Sequence, residues 1–145
     1  GRELGCGTCY IMCTPKPFYE AEADVVIRIE TGPEVITGST RMKAGTATKQ
    51  VLNMISTATM IQLGKVYGNL MVDLMAVNEK LVDRGTRIIS QLTGLDHDES
   101  QKALFAAEKS VKKAVIMVKK ECSLDEAGEL LANEKGLLRN IIGPK

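Results

Sequence analysis

Gly32-Pro33-Glu34-Val35-Ile36-Thr37-Gly38-Ser39-Thr40-Arg41-Met42-Lys43-Ala44-Gly45-Thr46-Ala47-Thr48-Lys49-Gln50 is the stretch on which the reading of this chain turns. An apolar run precedes it, and a long, nearly uncharged segment ending near Leu63 comes after it. Gly32-Pro33 breaks the element before it, and Thr37-Gly38 supplies a flexible turn. Ser39 or Thr40 can then cap a helix. A helix begun this way aims unpaired backbone N–H groups, and the positive end of its dipole, at whatever lies ahead. With two hydroxyls, Arg41 and Lys43 beside that end, the place suits a phosphate or another small anion. Glu34, just before it, could handle a proton or hold sugar hydroxyls. The plainer reading is an ordinary capped helix with two solvated cations, and the residues alone leave both open. Gly45 inside a helix costs about 1 kcal/mol relative to alanine, which suggests close approach by a backbone or a ligand.

Upstream, Thr8 to Thr14 is a short, mostly apolar run bounded by Gly7 and Pro15, and it reads as a buried strand. Pro15-Lys16-Pro17 interrupts regular structure, and a helical turn is expected over Phe18 to Ala23. Val25-Val26-Ile27-Arg28-Ile29 is a second strand-like run. Strand, crossover and strand suit the edge of a parallel α/β sheet. Two strands are too few for such a sheet, and Arg2-Glu3-Leu4-Gly5 reads as the last turn of a helix closed by glycine. The chain is therefore expected to begin within a domain whose other strands lie upstream.

Downstream, Ala44, Ala47, Val51, Met54, Ile55, Ala58 and Ile61 keep helical spacing. Asn53, Ser56, Thr57 and Thr59 occupy the other faces, so this helix is expected to be buried on several sides, within the chain or against another subunit. After a break at Gly64 to Gly68, the steps of Leu70, Leu74, Val77, Leu81 and Ile88 predict a second long helix. Arg84 stands in its seam and Thr93-Gly94 ends it. Short helices should come next. Asp98-Glu99-Ser100-Gln101 and Ser123-Leu124-Asp125-Glu126 both fit capping boxes, and Ser110 can cap Val111 to Lys120. Their apolar faces, ending in Leu137, Leu138, Ile141 and Ile142, are enough for a small bundle. Lys112-Lys113 and Lys119-Lys120 read as a solvated face, and His97 as an exposed loop residue.

Composition narrows the function classes. The 145 residues are 44% hydrophobic but only 3% aromatic, so the core must come from aliphatic side chains and methionine. A formal net charge of +1 gives no electrostatic case for nucleic acid or an anionic membrane. No apolar run reaches spanning length without polar interruption. Cys6-Gly7-Thr8-Cys9 has C-x-x-C spacing, but a zinc site would want a second ligand pair and His97 lies far off in sequence. The four cysteines are read as reduced thiols and no metal site is expected.

The run from Glu34 to Lys49, with Asn53-Met54 and Leu63-Gly64-Lys65-Val66-Tyr67-Gly68-Asn69-Leu70-Met71-Val72-Asp73, resembles the signature of the bacterial N-acetylmuramic acid 6-phosphate etherases. Glucokinase regulatory proteins share a related form. The resemblance covers most of the chain and is densest from Gly32 to Asp83. It implies an α/β remnant, the last strands of a parallel sugar isomerase-type sheet, followed by mostly α structure with two long helices and a small C-terminal helical bundle. On that reading residues 1–64 close the sugar isomerase-type domain, 65–94 form a connecting helix, and 95–145 a bundle similar to the ubiquitin-associated type.

The implied reaction removes D-lactate from N-acetylmuramic acid 6-phosphate and leaves N-acetylglucosamine 6-phosphate. Opening the sugar makes the C2 proton acidic, lactate departs from C3, and water adds across the double bond. The chemistry asks for a phosphate cradle and carboxylates that move protons, with no metal or redox cofactor. Glu34, Ser39, Thr40, Arg41 and Lys43 are the expected substrate-binding residues. The family's principal catalytic glutamates find no match here, so this segment alone is expected to be inactive. A cytoplasmic homodimer binding a phosphorylated amino sugar, without nucleic acid or membrane, completes the expectation. The alternative is a non-catalytic sugar-phosphate-binding regulator.

Overall fold

A computed structural model describes residues 1–15 and 22–144. The turn expected over 18–23 lies outside the described residues, apart from Glu22 and Ala23, which are not helical. Backbone packing divides the chain into two compact units, Gly1–Thr57 and Ala58–Lys145.

The first unit opens with a 3₁₀ turn, Arg2–Leu4, ended by Gly5 in the left-handed region at φ 69°. Strands β1 (Cys9–Met12) and β2 (Val25–Arg28) pair in parallel, with Cys9 opposite Val25 and Met12 opposite Arg28. The pairing suits two β-branched or apolar runs joined by a crossover, since parallel strands cannot be joined by a tight hairpin. Asp24 ties the entrance of the pair together, accepting from the Thr8 amide and hydroxyl at 2.7 Å each. Those bonds hold its carboxyl below the usual aspartate range.

Helix α1 (Lys43–Gln62) carries the expected apolar spacing, but none of its residues is buried. Leu52, Met54, Ile55, Met60 and Ile61 are all exposed, so burial of α1 on several sides is not seen among the described residues of this chain. The helix starts at Lys43, three residues beyond Thr40, and passes from the first unit into the second. Its final turn closes through the amides of Leu63, Gly64 and Lys65 on the carbonyls of Thr59, Ile61 and Met60. Gly64 has φ +71° and sits so near the Gly136 carbonyl that a Cβ would come within 2.8 Å of its oxygen. The last turn of α1, from Ala58, falls in the second compact unit.

The second long helix begins later than expected. In place of a helix from residue 65, a hairpin of β3 (Val66–Tyr67) and β4 (Leu70–Met71) turns through Gly68 at φ +59°. Extended chain leads on from it, and Val72, Leu74 and Ala76 are buried while Asp73, Met75 and Val77 are exposed. That alternation has the period of a strand, not of a helix. The helical steps from Leu70 to Val77 were coincidence. Helix α2 (Glu79–Thr93) starts only where the Asn78 side chain accepts from the Leu81 amide at 2.9 Å. It buries Gly85, Thr86, Ile88 and Ile89, leaves Arg84 exposed, and ends at Gly94 with φ 85°.

Four short helices complete the unit: α3 (His97–Ala106), α4 (Val111–Lys120), α5 (Leu124–Asn133) and α6 (Leu138–Ile142). The first capping box is built by Asp96 and Glu99, two residues before the expected one, so His97 is the first helical residue and not a loop residue. Ser110 and the Ser123–Glu126 box cap α4 and α5 as their spacing dictates. Ile89, Leu104, Val111, Val115, Ile116 and Leu138 form the centre of one aliphatic core. Tyr67 joins it and donates from its hydroxyl to the Gly143 carbonyl at 3.0 Å.

Lys112 departs from the solvated face expected for it. Its side chain is only 7% exposed, with Nζ 3.3 Å from an Asp73 oxygen and donating to the Gly136 carbonyl at 2.9 Å. Lys65 hydrogen-bonds the other Asp73 oxygen. Burial pushes the Asp73 carboxyl up, but the Lys65 hydrogen bond and the charge and hydrogen bond of Lys112 outweigh it, leaving the group below the usual range.

Candidate functional site

The loop from Ile29 to Met42 joins the carboxyl end of β2 to the start of α1. The Ile29 amide still donates to the Met12 carbonyl at 2.9 Å, so the strand pair is closed where this loop leaves it. On the β1 side, Cys13 comes directly after the strand; its Sγ lies 3.6 Å from the Ala44 carbonyl and 3.5 Å from the Thr48 hydroxyl. The first turns of α1 therefore lie beside the carboxyl end of β1. Open α/β sheets bind ligands outside that end of their strands.

The loop is organised by Glu34. One carboxylate oxygen accepts from the Lys43 amide at 2.9 Å and the other from the Ala44 amide at 3.0 Å. These N–H groups open α1 and have no carbonyl partner one turn back, so a carboxylate spanning both is a cap made from nine and ten residues upstream. The Ala44 and Lys43 amides, with the nearby Lys43 charge, hold the Glu34 carboxyl below the usual glutamate range. Between the ends of the loop, Ser39 N–H donates to Ile36 O, and Thr40 N–H to Gly38 O, at 2.9 and 3.0 Å. Gly38 sits at φ 82°, a conformation costly for a side-chain-bearing residue. The Gly45 amide donates to the Thr40 carbonyl at 2.9 Å, and a Cβ on Gly45 would lie 3.4 Å from that oxygen.

The five sequence-predicted residues thus share one loop but not one surface. Thr40 borders a hollow of about 650 Å³ with Cys13, Thr14, Gly45, Thr48 and Lys49. Arg41 and Lys43, both exposed, border another of about 580 Å³ with Thr31, Thr46 and Gln50. Ser39 is half-buried and borders neither hollow. Glu34 is engaged with backbone through one hydrogen bond to each carboxylate oxygen. The N-cap role expected of Ser39 or Thr40 belongs to Glu34.

Cys13, Thr14 and Thr48, which line the same hollow as Thr40, were not among the expected substrate-binding residues. Their signal was weak: a Cys-Thr pair where an apolar strand ends, facing a helix rich in threonine and alanine. The hollow they line has room for a sugar-sized group, with hydroxyls, an ammonium and small side chains around it. Cys6 and Cys9 are free and exposed; Cys13 and Cys122 are free and half-buried. Among the described residues no cluster of three or more His, Cys, Asp or Glu side chains could hold a metal. No helix among them is long and apolar enough to cross a membrane. His97 stands apart in the second unit, exposed, with Nε2 4.0 Å from an Asp83 oxygen.

No family model matches the chain. Curated proteins do. An N-acetylmuramic acid 6-phosphate etherase of Mycolicibacterium smegmatis is 49% identical over 98% of this chain and 48% of its own length. That of Geobacillus thermodenitrificans is 45% identical over 97% of the chain and 48% of its own length. For that of Erwinia tasmaniensis the values are 48%, 95% and 45%. The chain spans about half the length of the curated relatives it matches. Identity near one half, sustained across both units, extends the likeness well beyond the loop at Glu34, and the chain is accordingly related to the N-acetylmuramic acid 6-phosphate etherases along a segment about half their length.

Proposed function

We propose that, within an etherase of full family length, this segment supplies one wall of the site that cleaves the D-lactyl ether of N-acetylmuramic acid 6-phosphate. The observation that carries the reading is the 45–49% identity to named etherases over nearly the whole chain. The position of the loop at the carboxyl ends of β1 and β2 supports it.

On this reading Ser39 and Thr40 hydrogen-bond the phosphosugar, while Arg41 and Lys43 supply positive charge near the phosphate. Glu34 serves the site through the backbone it holds. The reaction begins with the open-chain sugar, whose aldehyde acidifies the C2 proton. A carboxylate outside this segment takes that proton, the C3–O bond breaks, and D-lactate leaves. Water then adds its oxygen at C3 and returns a proton to C2, giving N-acetylglucosamine 6-phosphate. The residues of this chain bind and orient; the proton transfers need groups that it does not supply, so it turns over no substrate alone.

Two finer points belong to the same proposal. The protein works in the cytoplasm, where a phosphorylated cell-wall sugar would be met. It works as a homodimer, a reading supported by the exposed Leu52, Met54, Ile55, Met60 and Ile61 on α1, more apolar surface than one helix usually leaves in water.

The test is Ser39→Ala with Lys43→Ala in an etherase of full family length carrying this segment. Loss of one hydroxyl and one charge should weaken sugar-phosphate binding by roughly tenfold or more. Unchanged affinity would remove the loop from the site. D-lactate release by the isolated 145-residue chain would show that the proton-moving groups lie within it after all.

A further inference from the structure

Glu34 is the acidic residue nearest in sequence to Ser39 and Thr40, which makes it the obvious choice for a proton-transfer group. Its geometry argues otherwise. Both carboxylate oxygens already accept backbone N–H groups, at 2.9 and 3.0 Å, and only the ionised form offers two acceptors at once. Taking up a proton would turn one acceptor into a donor facing another donor. The same bonds join the two ends of the loop that carries Ser39, Thr40 and Arg41.

Little else anchors that loop. Val35 and Ile36, two large apolar residues of the loop, are 81% and 60% exposed and contribute little burial. Among the described residues its other backbone ties are turn bonds, Ser39 to Ile36, Thr40 to Gly38 and Met42 to Ser39, and two bonds from α1, Gly45 to Thr40 and Thr46 to Met42, which hold the loop's last residues and leave its beginning loose. The bonds from Lys43 and Ala44 to Glu34 do fix it. They also fill the first two N–H groups of α1 with a resident anion, so a phosphate arriving there would meet a carboxylate already in place.

We propose that Glu34 is a positioning residue: as a carboxylate it clamps the 34–44 loop onto the start of α1, presents Ser39 and Thr40 to the sugar, and keeps the phosphate off the first helical amides. The purpose of the clamp rests on the phosphosugar reading above; its grip on the loop does not. Because the amide bonds lower the carboxyl's pKa in the folded chain, the clamp is intact at neutral pH. It is lost as pH falls through that lowered value, below the usual glutamate range.

The experiment has two arms. In the isolated chain, labelled with nitrogen-15, the Lys43 and Ala44 amide signals should titrate together with the Glu34 carboxyl, at a midpoint below that of an ordinary glutamate. Glu34→Gln should abolish that titration and speed hydrogen exchange at the same two amides by about tenfold or more. Adding inorganic phosphate at neutral pH should leave those two signals in place in the wild-type chain. The pH titration needs no variant, so it decides even if Glu34→Gln folds poorly. In the etherase of full family length, Glu34→Gln should raise KM by about tenfold, with kcat within about threefold and the acid limb of its pH profile unmoved.

Absence of the coupled titration, exchange unchanged in Glu34→Gln, or a phosphate shift at Lys43 and Ala44 in the wild-type chain would each overturn the clamp. A collapse of kcat together with loss of the acid limb would overturn it by making Glu34 a proton carrier. An intact clamp with unchanged KM would overturn the link to the sugar; if Ser39→Ala also left binding unchanged, the fault would lie with the phosphosugar reading, and if it weakened binding, with the positioning role of Glu34.

Discussion

The two units of this chain are held in opposite ways. In Gly1–Thr57 the decisive contacts are polar and local to the backbone: Asp24 on the Thr8 amide and hydroxyl, Glu34 on the Lys43 and Ala44 amides, Cys13 beside Thr48. Among the described residues Met12 is the buried hydrophobic one there, and no residue of α1 is fully buried. In Ala58–Lys145, Ile89, Leu104, Val111, Val115 and Ile116 are wholly enclosed, and every helix from α2 to α5 has a side-chain cap. The hydrophobic effect scales with apolar area withdrawn from water, so the described residues of the second unit have the larger driving force of this kind. The lesson is functional. The part that carries the candidate site is organised by hydrogen bonds and leaves its apolar helix in solvent, while the part without it is a finished core.

The sharpest break of that comparison is a cavity. Ile89→Ala in α2 should cost about 2–5 kcal/mol, because a fully buried aliphatic side chain is removed from a packed centre. Chemical denaturation followed by helical circular dichroism would measure it. A loss under about 1 kcal/mol would mean that the core relaxes freely and that the two units differ less than their burial says.

Next in size is the ion cluster around the buried Lys112. Lys112→Met keeps most of the side chain's length but leaves the Gly136 carbonyl and one Asp73 oxygen without their donor. The expected cost is about 1–3 kcal/mol, moderated because Asp73 keeps Lys65 and is about a third exposed. Asp73 has a depressed pKa in the folded chain, so its contribution is present above its unfolded pKa and lost as pH falls through the folded value. Lys112→Met should therefore flatten the fall of stability on acidification. A variant with the same stability and the same acid slope would show that the cluster holds nothing.

The third change has the opposite sign. The hydroxyls of Thr86 and Ser100 are buried without a hydrogen-bond partner among the described residues. Thr86→Val removes one of them at nearly constant volume and should raise stability by about 1 kcal/mol. A destabilised variant would point to a partner for that hydroxyl.

The sequence was legible along the same division. Gly94, Ser110 and Ser123 could be placed because a cap is written within three or four residues of the helix end it serves. The parallel strands were legible as two apolar runs with a crossover, although their full sheet was not. Leu70, Leu74 and Val77 misled because spacing of four and three also arises by chance in a hairpin followed by an extended segment; the glycines at 64 and 68 were the warning. Lys112 looked like one of four surface lysines because its partners, Asp73 and Gly136, lie far away in sequence. Glu34 could be chosen as a site residue, but its clamp depends on the loop closing back on α1, and no local pattern encodes that closure.

The smallest expected effect bears most directly on the contrast between the units. Leu52 lies on α1 at 54% exposure, one turn before the exposed Ile55. Within this chain Leu52→Ala should shift stability by no more than about 0.5 kcal/mol, since a half-exposed leucine has few contacts to lose and alanine has the better helix propensity. The same substitution in an etherase of full family length should cost considerably more if that face is covered there, and should weaken self-association if a second copy covers it. Equal, small effects in both settings would mean that the apolar stripe of α1 faces water in the working protein, and the homodimer reading would lose its structural support.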